Sequence, residues 1–219
     1  MKFGYFCNTT NWKHKLYETL LEETRQITNY CDENSWDSIW YTEHHFNHEG
    51  MESCTNPLMM GADAAARTKQ IRIGQACNVI TFHNPIRLAE DIALLDQLSN
   101  GRVEVGIGRG VYGREALNMN KEADLKDQAK NFRLFEETLT IMKKAWTEEF
   151  FSHEGEFYTY PAPNFVWQHD MSPPNKKFVD TETNEIKKLS VVPKPKQSPH
   201  PPIWQVVDGA RSIEWAARN

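Results

Sequence analysis

Two histidines stand side by side behind a glutamate in "WYTEHHF", residues 40–46, directly after a run of strand-forming residues. Imidazole is the side chain best suited to move a proton near neutral pH, so the pair invites proton transfer or metal ligation. On an extended backbone adjacent side chains point to opposite faces, so His44 and His45 are poorly placed to chelate one ion together. The arrangement instead lets one imidazole enter a pocket at the carboxyl end of a strand while the other meets a neighbouring helix or a partner chain. On these residues alone, a surface loop with two solvated histidines is an equal alternative.

Two further stretches have chemistry in them. The run "GIGRGVYG", residues 106–113, follows "RVEV" and is not a dinucleotide fingerprint, because its glycine spacing differs and no helix is expected to open at once. Within it Arg109 offers a planar fork of donors suited to a phosphate or a carboxylate; a surface ion pair would use the same fork. In "VVDGARSIEW" a strand ends in Asp208-Gly209 and a helix starts with Ser212 in its first turn. Free amides at a helix start, a glycine permitting close approach and a hydroxyl together make an anion site. Ordinary capping by Asp208 explains the same residues.

The elements that must position these groups alternate between short strand-like runs and longer helical ones, which implies an α/β fold with a parallel sheet. Strands are expected at "KFGYF", "SIWYT", "IRIGQACNVI", "RVEVGIG" and "PPIWQVV". Helical spacing of apolar residues marks "LYETLLEETRQITNYC", "IRLAEDIALLDQLSNGR" and "NFRLFEETLTIMKKAW", with the Asn and Gly of "NGR" as a left-handed stop for the second. The alternation breaks at about 148–200, a proline-rich insertion in which "KKFVDTETNEIKKLSVV" reads as a polar hairpin turning at "TETN". "GADAAA", 61–66, reads as close helix packing.

A chain of 219 residues, 39% hydrophobic and 25% charged, has the composition of a globular protein with one sizeable core. Net charge −5 and a pI near 5.9 leave no basic footprint for nucleic acid or an anionic membrane. Neither a signal peptide nor a membrane-spanning run is visible, so a cytoplasmic location is expected. The four cysteines are scattered singly and are expected to be reduced thiols.

"MKFGYF", "WYTEHHF", "HNPIRLAEDIALLDQLSNGRVEVGIGRGVYG" and "PPIWQVVDGARSIEWAA", in that order, resemble the luciferase-like family of flavin-dependent monooxygenases, its light-emitting alpha-subunit members in particular. The resemblance implies a single domain over 1–219, a TIM (β/α)8 barrel binding FMN at the carboxyl ends of its strands. Reduced FMN, supplied by a separate reductase, and dioxygen would oxygenate a small organic substrate, aldehyde-like or hydrophobic. It places His44 beside the flavin, in proton transfer or in stabilising the oxygen adduct, with His45 toward a structural or subunit contact and Glu43 orienting its neighbours. Arg109 falls on the phosphate-binding arginine, and Asp208, Gly209, Ala210 and Ser212 on the loop around the same phosphate. Ala76-Cys77 falls on a non-prolyl cis peptide under the flavin ring, and Phe6 would line the ring pocket.

Gly108 stands where the light-emitting members have a reactive cysteine, so light emission is not carried over. A barrel needs eight strands and about 250 residues; the signals here number five, so the chain is expected to be a barrel truncated after the fifth strand-helix unit, a fragment of a longer product, poorly stable alone. Some members of the family use a deazaflavin for hydride transfer, which these residues do not separate from FMN. Dimers, homo- or hetero-, are expected through the helices that here carry "MMGADAAAR" and "AEDIALLDQL". Two rival readings stand beside this one: a metal-dependent hydrolase on the same barrel, with Glu43, His44, His48 and His83 as ligands, and a noncatalytic flavin-binding or dimerisation module.

Overall fold

The computed structural model describes residues 1–169 and 173–219. Along the chain run β1 (Gly4–Cys7), α1 (Tyr17–Glu33), β2 (Ser38–Tyr41), α2 (Pro57–Arg67), β3 (Arg72–Gln75), β4 (Asn78–Val79), α3 (Pro85–Leu98) and β5 (Val103–Gly108). They are followed by α4 (Gly113–Met119), α5 (Gln128–Thr147), β6 (His153–Glu154), β7 (Thr159–Tyr160), β8 (Ile203–Gln205) and α6 (Ala210–Arg218). β1, β2, β3 and β5 lie side by side, β4 and β8 pair with the carboxyl half of β5, and every pairing in this sheet is parallel. The five strand signals therefore all form, and "IRIGQACNVI" divides into β3 and β4 around a cis peptide between Ala76 and Cys77.

Local chemistry sets the helix ends. Pro57 and Pro85 open α2 and α3, and the preceding Asn56 and Asn84 side chains accept N–H groups of the first turn, Met59 at 2.9 Å and Ile86 at 3.0 Å. α3 stops as "NGR" implies: Asn100 and Gly101 take φ of 62° and 81°, and the Gly101 amide closes on the Asp96 carbonyl at 2.8 Å.

The sheet face carrying Ile39, Ile73, Val103 and Val105 is fully buried against Leu88, Ala89 and Ile92 of α3 and Phe135, Ile141 and Met142 of α5. Burying each such side chain stabilises the fold by about 1.5–3 kcal/mol relative to exposure. On the opposite face Trp40 lies across Gly74, where any Cβ would collide with its indole. Trp204 meets Trp40 edge-on at 6.0 Å and donates its indole N–H to Glu104 at 2.7 Å. That face is open: Trp204 and Phe6 are 55% and 59% exposed.

One expectation is corrected. A helix, α4, does open directly at the end of the glycine-rich run, at Gly113. No side chain caps it; burial of Glu115 and Ala116 on its inner side holds it, a signal too short for periodicity to register. In the insertion, β6 and β7 form a short antiparallel hairpin, and Val179 and Ile186 bridge across a turn at 180–184, where the polar hairpin was expected. Residues 170–172 of the insertion lie outside the described residues. Its Phe151 and Val191 join the main core, and Lys194 caps the end of α5 by donating to the Ala145 and Glu148 carbonyls, both at 2.6 Å. Among the described residues no helix is long and apolar enough to cross a membrane.

Candidate functional site

At the carboxyl ends of β2, β3, β5 and β8 a cavity of about 380 Å³ is walled by Glu43, His44, Ala76, Cys77, Val79, Gly108, Arg109, Glu115, Asp208 and Ser212, among others. Its cationic corner is built on Phe132 of α5. Trp215 of α6 packs edge-on against Phe132 and Phe135, at 5.7 and 5.5 Å, and bonds to Glu136 at 2.8 Å, which brings the start of α6 to the mouth of β5. The guanidinium of Arg109 lies 5.3 Å from the Phe132 ring centre and that of Arg211 4.8 Å from it. Arg109 is steadied further by Gln128 and Asn131, at 3.1 and 3.2 Å, while the Asn131 amide holds the Arg109 carbonyl at 3.3 Å. Burial, opposed by the charge of Asp208 and aided by that of Arg211, holds the Arg109 pKa below its ordinary value. Two cations held close together, with one carboxylate beside them, favour an anion.

The cap of α6 is not Asp208. Gly209 is the N-cap, and Ser212 donates to the Gly209 carbonyl at 2.8 Å while accepting its N–H at 3.3 Å. Asp208 is thereby left to the cavity and to Arg109, which removes ordinary capping as its explanation.

The imidazole side of the cavity is built on the chain leaving β2. His44 is fixed by its own N–H to the Cys54 carbonyl at 2.8 Å, and its ring sits 5.5 Å from that of Tyr112. Its Nε2 lies 3.3 Å from Glu52 and its Nδ1 3.4 Å from Glu115. His44 Nδ1 and Glu115 Oε2 are nevertheless buried without a hydrogen-bond partner among the described residues. Burial and the charges of Glu52 and Glu115 raise the Tyr112 phenol above its ordinary pKa. Such unfilled bonds at a cavity wall are what a site made for a polar ligand carries.

Glu43, 2% exposed, binds neighbours other than His44. It accepts the Val79 N–H at 2.7 Å, His83 Nε2 at 2.8 Å and His45 Nε2 at 3.1 Å. Burial alone would raise its pKa, but these bonds outweigh burial and hold the carboxyl below its ordinary value. For His83 the balance runs in the same sense: burial would depress it, and Glu43 lifts it above its usual range. The adjacent histidines thus divide as their spacing implies, His44 to the cavity and His45 to a carboxylate and the Phe82 ring at 6.2 Å.

Of the residues singled out from sequence, the structure brings His44, Ala76, Cys77, Arg109, Asp208 and Ser212 to one cavity, with Gly209 and Ala210 at the adjoining helix start. Phe6 is not on its wall; it stands on the open sheet face of β1, in register with Trp40. Glu52, Tyr112, Glu115 and Arg211 were missed. No local signal could have flagged Glu115, since α4 is too short to leave a helical period. His48, a ligand in the metal-site alternative, is 86% exposed and faces Glu49, and among the described residues no three His, Cys, Asp or Glu side chains are grouped to hold a metal ion.

The family model for luciferase-like monooxygenases matches residues 1–219. The chain belongs to that family. It is 30% identical over 220 residues to the oxygenase component of a flavin-dependent trigonelline monooxygenase from Acinetobacter baylyi, covering 100% of this chain and 52% of that protein. To an alkanal monooxygenase beta chain of Photorhabdus luminescens it is 33% identical over 162 residues, 74% of this chain and 48% of the relative. The chain thus spans about half the length of the curated relatives it matches. Among solved structures, the monooxygenase RslO1 from Streptomyces bottropensis superposes with a TM-score of 0.77 at 26% identity, over 100% of this chain and 57% of that one. The oxygenating constituent of 3,6-diketocamphane monooxygenase of Pseudomonas putida, solved with FMN, shares the fold at a TM-score of 0.73 and 23% identity, over 94% of this chain and 51% of that one. The open parallel sheet is thus of the TIM-barrel type of this luciferase-like family, with the cavity where such barrels place their sites, at the strand carboxyl ends.

Proposed function

We propose that this luciferase-like chain is the flavin-binding part of a two-component monooxygenase that takes reduced FMN from a separate reductase and oxygenates a small organic substrate. The observation that carries the proposal is the meeting, in one cavity, of an anion corner and a part-buried imidazole between two carboxylates. The residues fit the cofactor: Arg109 and the start of α6 would hold the phosphate, and the open bonds of His44 and Glu115 would face the polar edge of the ring. When bound, reduced FMN supplies the electrons that activate dioxygen. His44, with an acid on either side, holds or delivers a proton at Nε2 or Nδ1. Cys77, Val79 and Leu125 give the cavity an apolar wall. Four free thiols, three of them buried, suit a reducing cytoplasm, and the exposed Met59, Leu94 and Leu98 on α2 and α3 suit a homo- or heterodimer.

Titration of the protein with FMN and with riboflavin, followed by flavin fluorescence, tests the reading. Charge-assisted hydrogen bonds contribute about 1.5–3 kcal/mol, so Arg109→Met should weaken FMN about 10–100-fold and leave riboflavin unchanged. Equal affinity of the unmodified protein for the two flavins would overturn it. Parallel titrations with reduced FMN and a reduced deazaflavin separate oxygenase from hydride-transfer chemistry, and binding without oxygen-dependent turnover would mark a noncatalytic module.

A further inference from the structure

We propose that Cys77 and Gly108 form one steric unit setting the floor of the cavity, with the Cys77 thiol standing in the space a side chain at 108 would need. The two residues come from adjacent strands: β4 pairs with β5 so that Val79 is opposite Gly108, and Cys77 enters β4 from the turn after β3. A Cβ built on Gly108 would meet Cys77 Sγ at well under 3.0 Å, and among the described residues, its chain neighbours aside, the one other atom within 4 Å is Cys77 Cβ at 3.7 Å, an ordinary contact. The backbone of Gly108 lies outside the left-handed region, so a single sulfur, and not the chain's own geometry, excludes a side chain there. Gly106, two residues earlier, differs: a Cβ there would strike the Gln75 carbonyl of the backbone, which no side-chain change relieves.

Both Cys77 and Gly108 line the cavity. Burial, then the negative charge of Glu43, pushes the thiol up to about 12, so the sulfur is a neutral, polarisable surface suited to the face or edge of a planar ring. On the flavin reading, which this inference rests on, the pair decides how deep the ring sits, and the combined size at 77 and 108 is a specificity determinant that neither position holds alone.

Melting temperature without ligand and affinity for oxidised FMN, measured for the unmodified protein, Gly108→Ala, Cys77→Ala and the double variant, test the pair. Overpacking should lower the melting temperature of Gly108→Ala by about 3–10 °C and weaken FMN about tenfold or more, and the added Cys77→Ala should restore most of both. Additive losses in the double variant would overturn the proposal. Should Gly108→Ala not fold, recovery of a folded double variant supports the pair and failure of both refutes it. If the unmodified protein bound no FMN while the melting temperatures still compensated, the flavin reading would fall and the steric unit would stand.

Discussion

Replacing Glu43 separates the network that braces the site from the groups that would meet a ligand. The carboxylate is 2% exposed and accepts from Val79 N–H, His83 and His45, at 2.7, 2.8 and 3.1 Å. Hydrogen bonds to a charged group contribute about 1.5–3 kcal/mol each, and breaking a buried pair costs about 3–5 kcal/mol. Glu43→Gln keeps an acceptor for part of this set, so a loss of about 1–3 kcal/mol is expected, or about 2–10 °C in melting temperature for a chain of this size. The pH dependence follows from the two shifts. Glu43 is depressed, so its contribution is present above the unfolded carboxyl pKa and lost as pH falls through the folded one; His83 is raised, so its contribution is full below the unfolded imidazole pKa, about 6.5, and lost as pH rises through the folded one. Urea denaturation of both proteins between pH 4 and 9 should therefore show the largest gap near pH 5.5–6, narrowing on either side. Imidazole titration by NMR should find His83 lowered in the variant. Equal stability across the range, or an unmoved His83, would refute the account of Glu43 as a charged brace.

Gly106→Ala should abolish or gravely weaken folding whatever stands at position 77, because the added Cβ meets the Gln75 carbonyl; near-normal melting would show that the β3–β4 turn yields. Trp215→Ala removes the ring that docks α6 on Phe132 and Phe135 and the bond to Glu136, so FMN affinity should fall about tenfold while the unfolding midpoint moves less than in Glu43→Gln. Tight FMN binding by that variant would refute the proposed part of α6 in holding a phosphate.

Most of the strand and helix order was legible because burial on the long helices is one-sided and leaves a period, while the strands, β5 buried at every position among them, show as short runs of strand-forming residues between those helices. The left-handed stop at Asn100-Gly101 and the opposed fates of His44 and His45 were legible for a second reason: each depends on the backbone of one or two residues. α4 was not, since seven residues held by the burial of Glu115 and Ala116 leave no periodic trace. Phe6 shows the converse: its place on β1 was read, but which surroundings a strand residue meets depends on which face of the sheet is covered.

The site itself is a product of register more than of motif. Glu115 reaches the His45 N–H across 70 positions and Glu43 reaches Val79 across 36, so no local window holds either contact. Both follow once β2, β3 and β5 lie parallel, because parallel strands deliver the residues after their carboxyl ends to one rim. The glycines at 106 and 108 show how finely that delivery is adjusted. At 106 the backbone of the neighbouring turn comes so close that no side chain is admitted, and at 108 the same turn comes close only through a thiol. A glycine-rich run at a strand end therefore carries two kinds of information, one about how chains pack and one about what faces the ligand, and the atoms opposite each glycine tell the two apart.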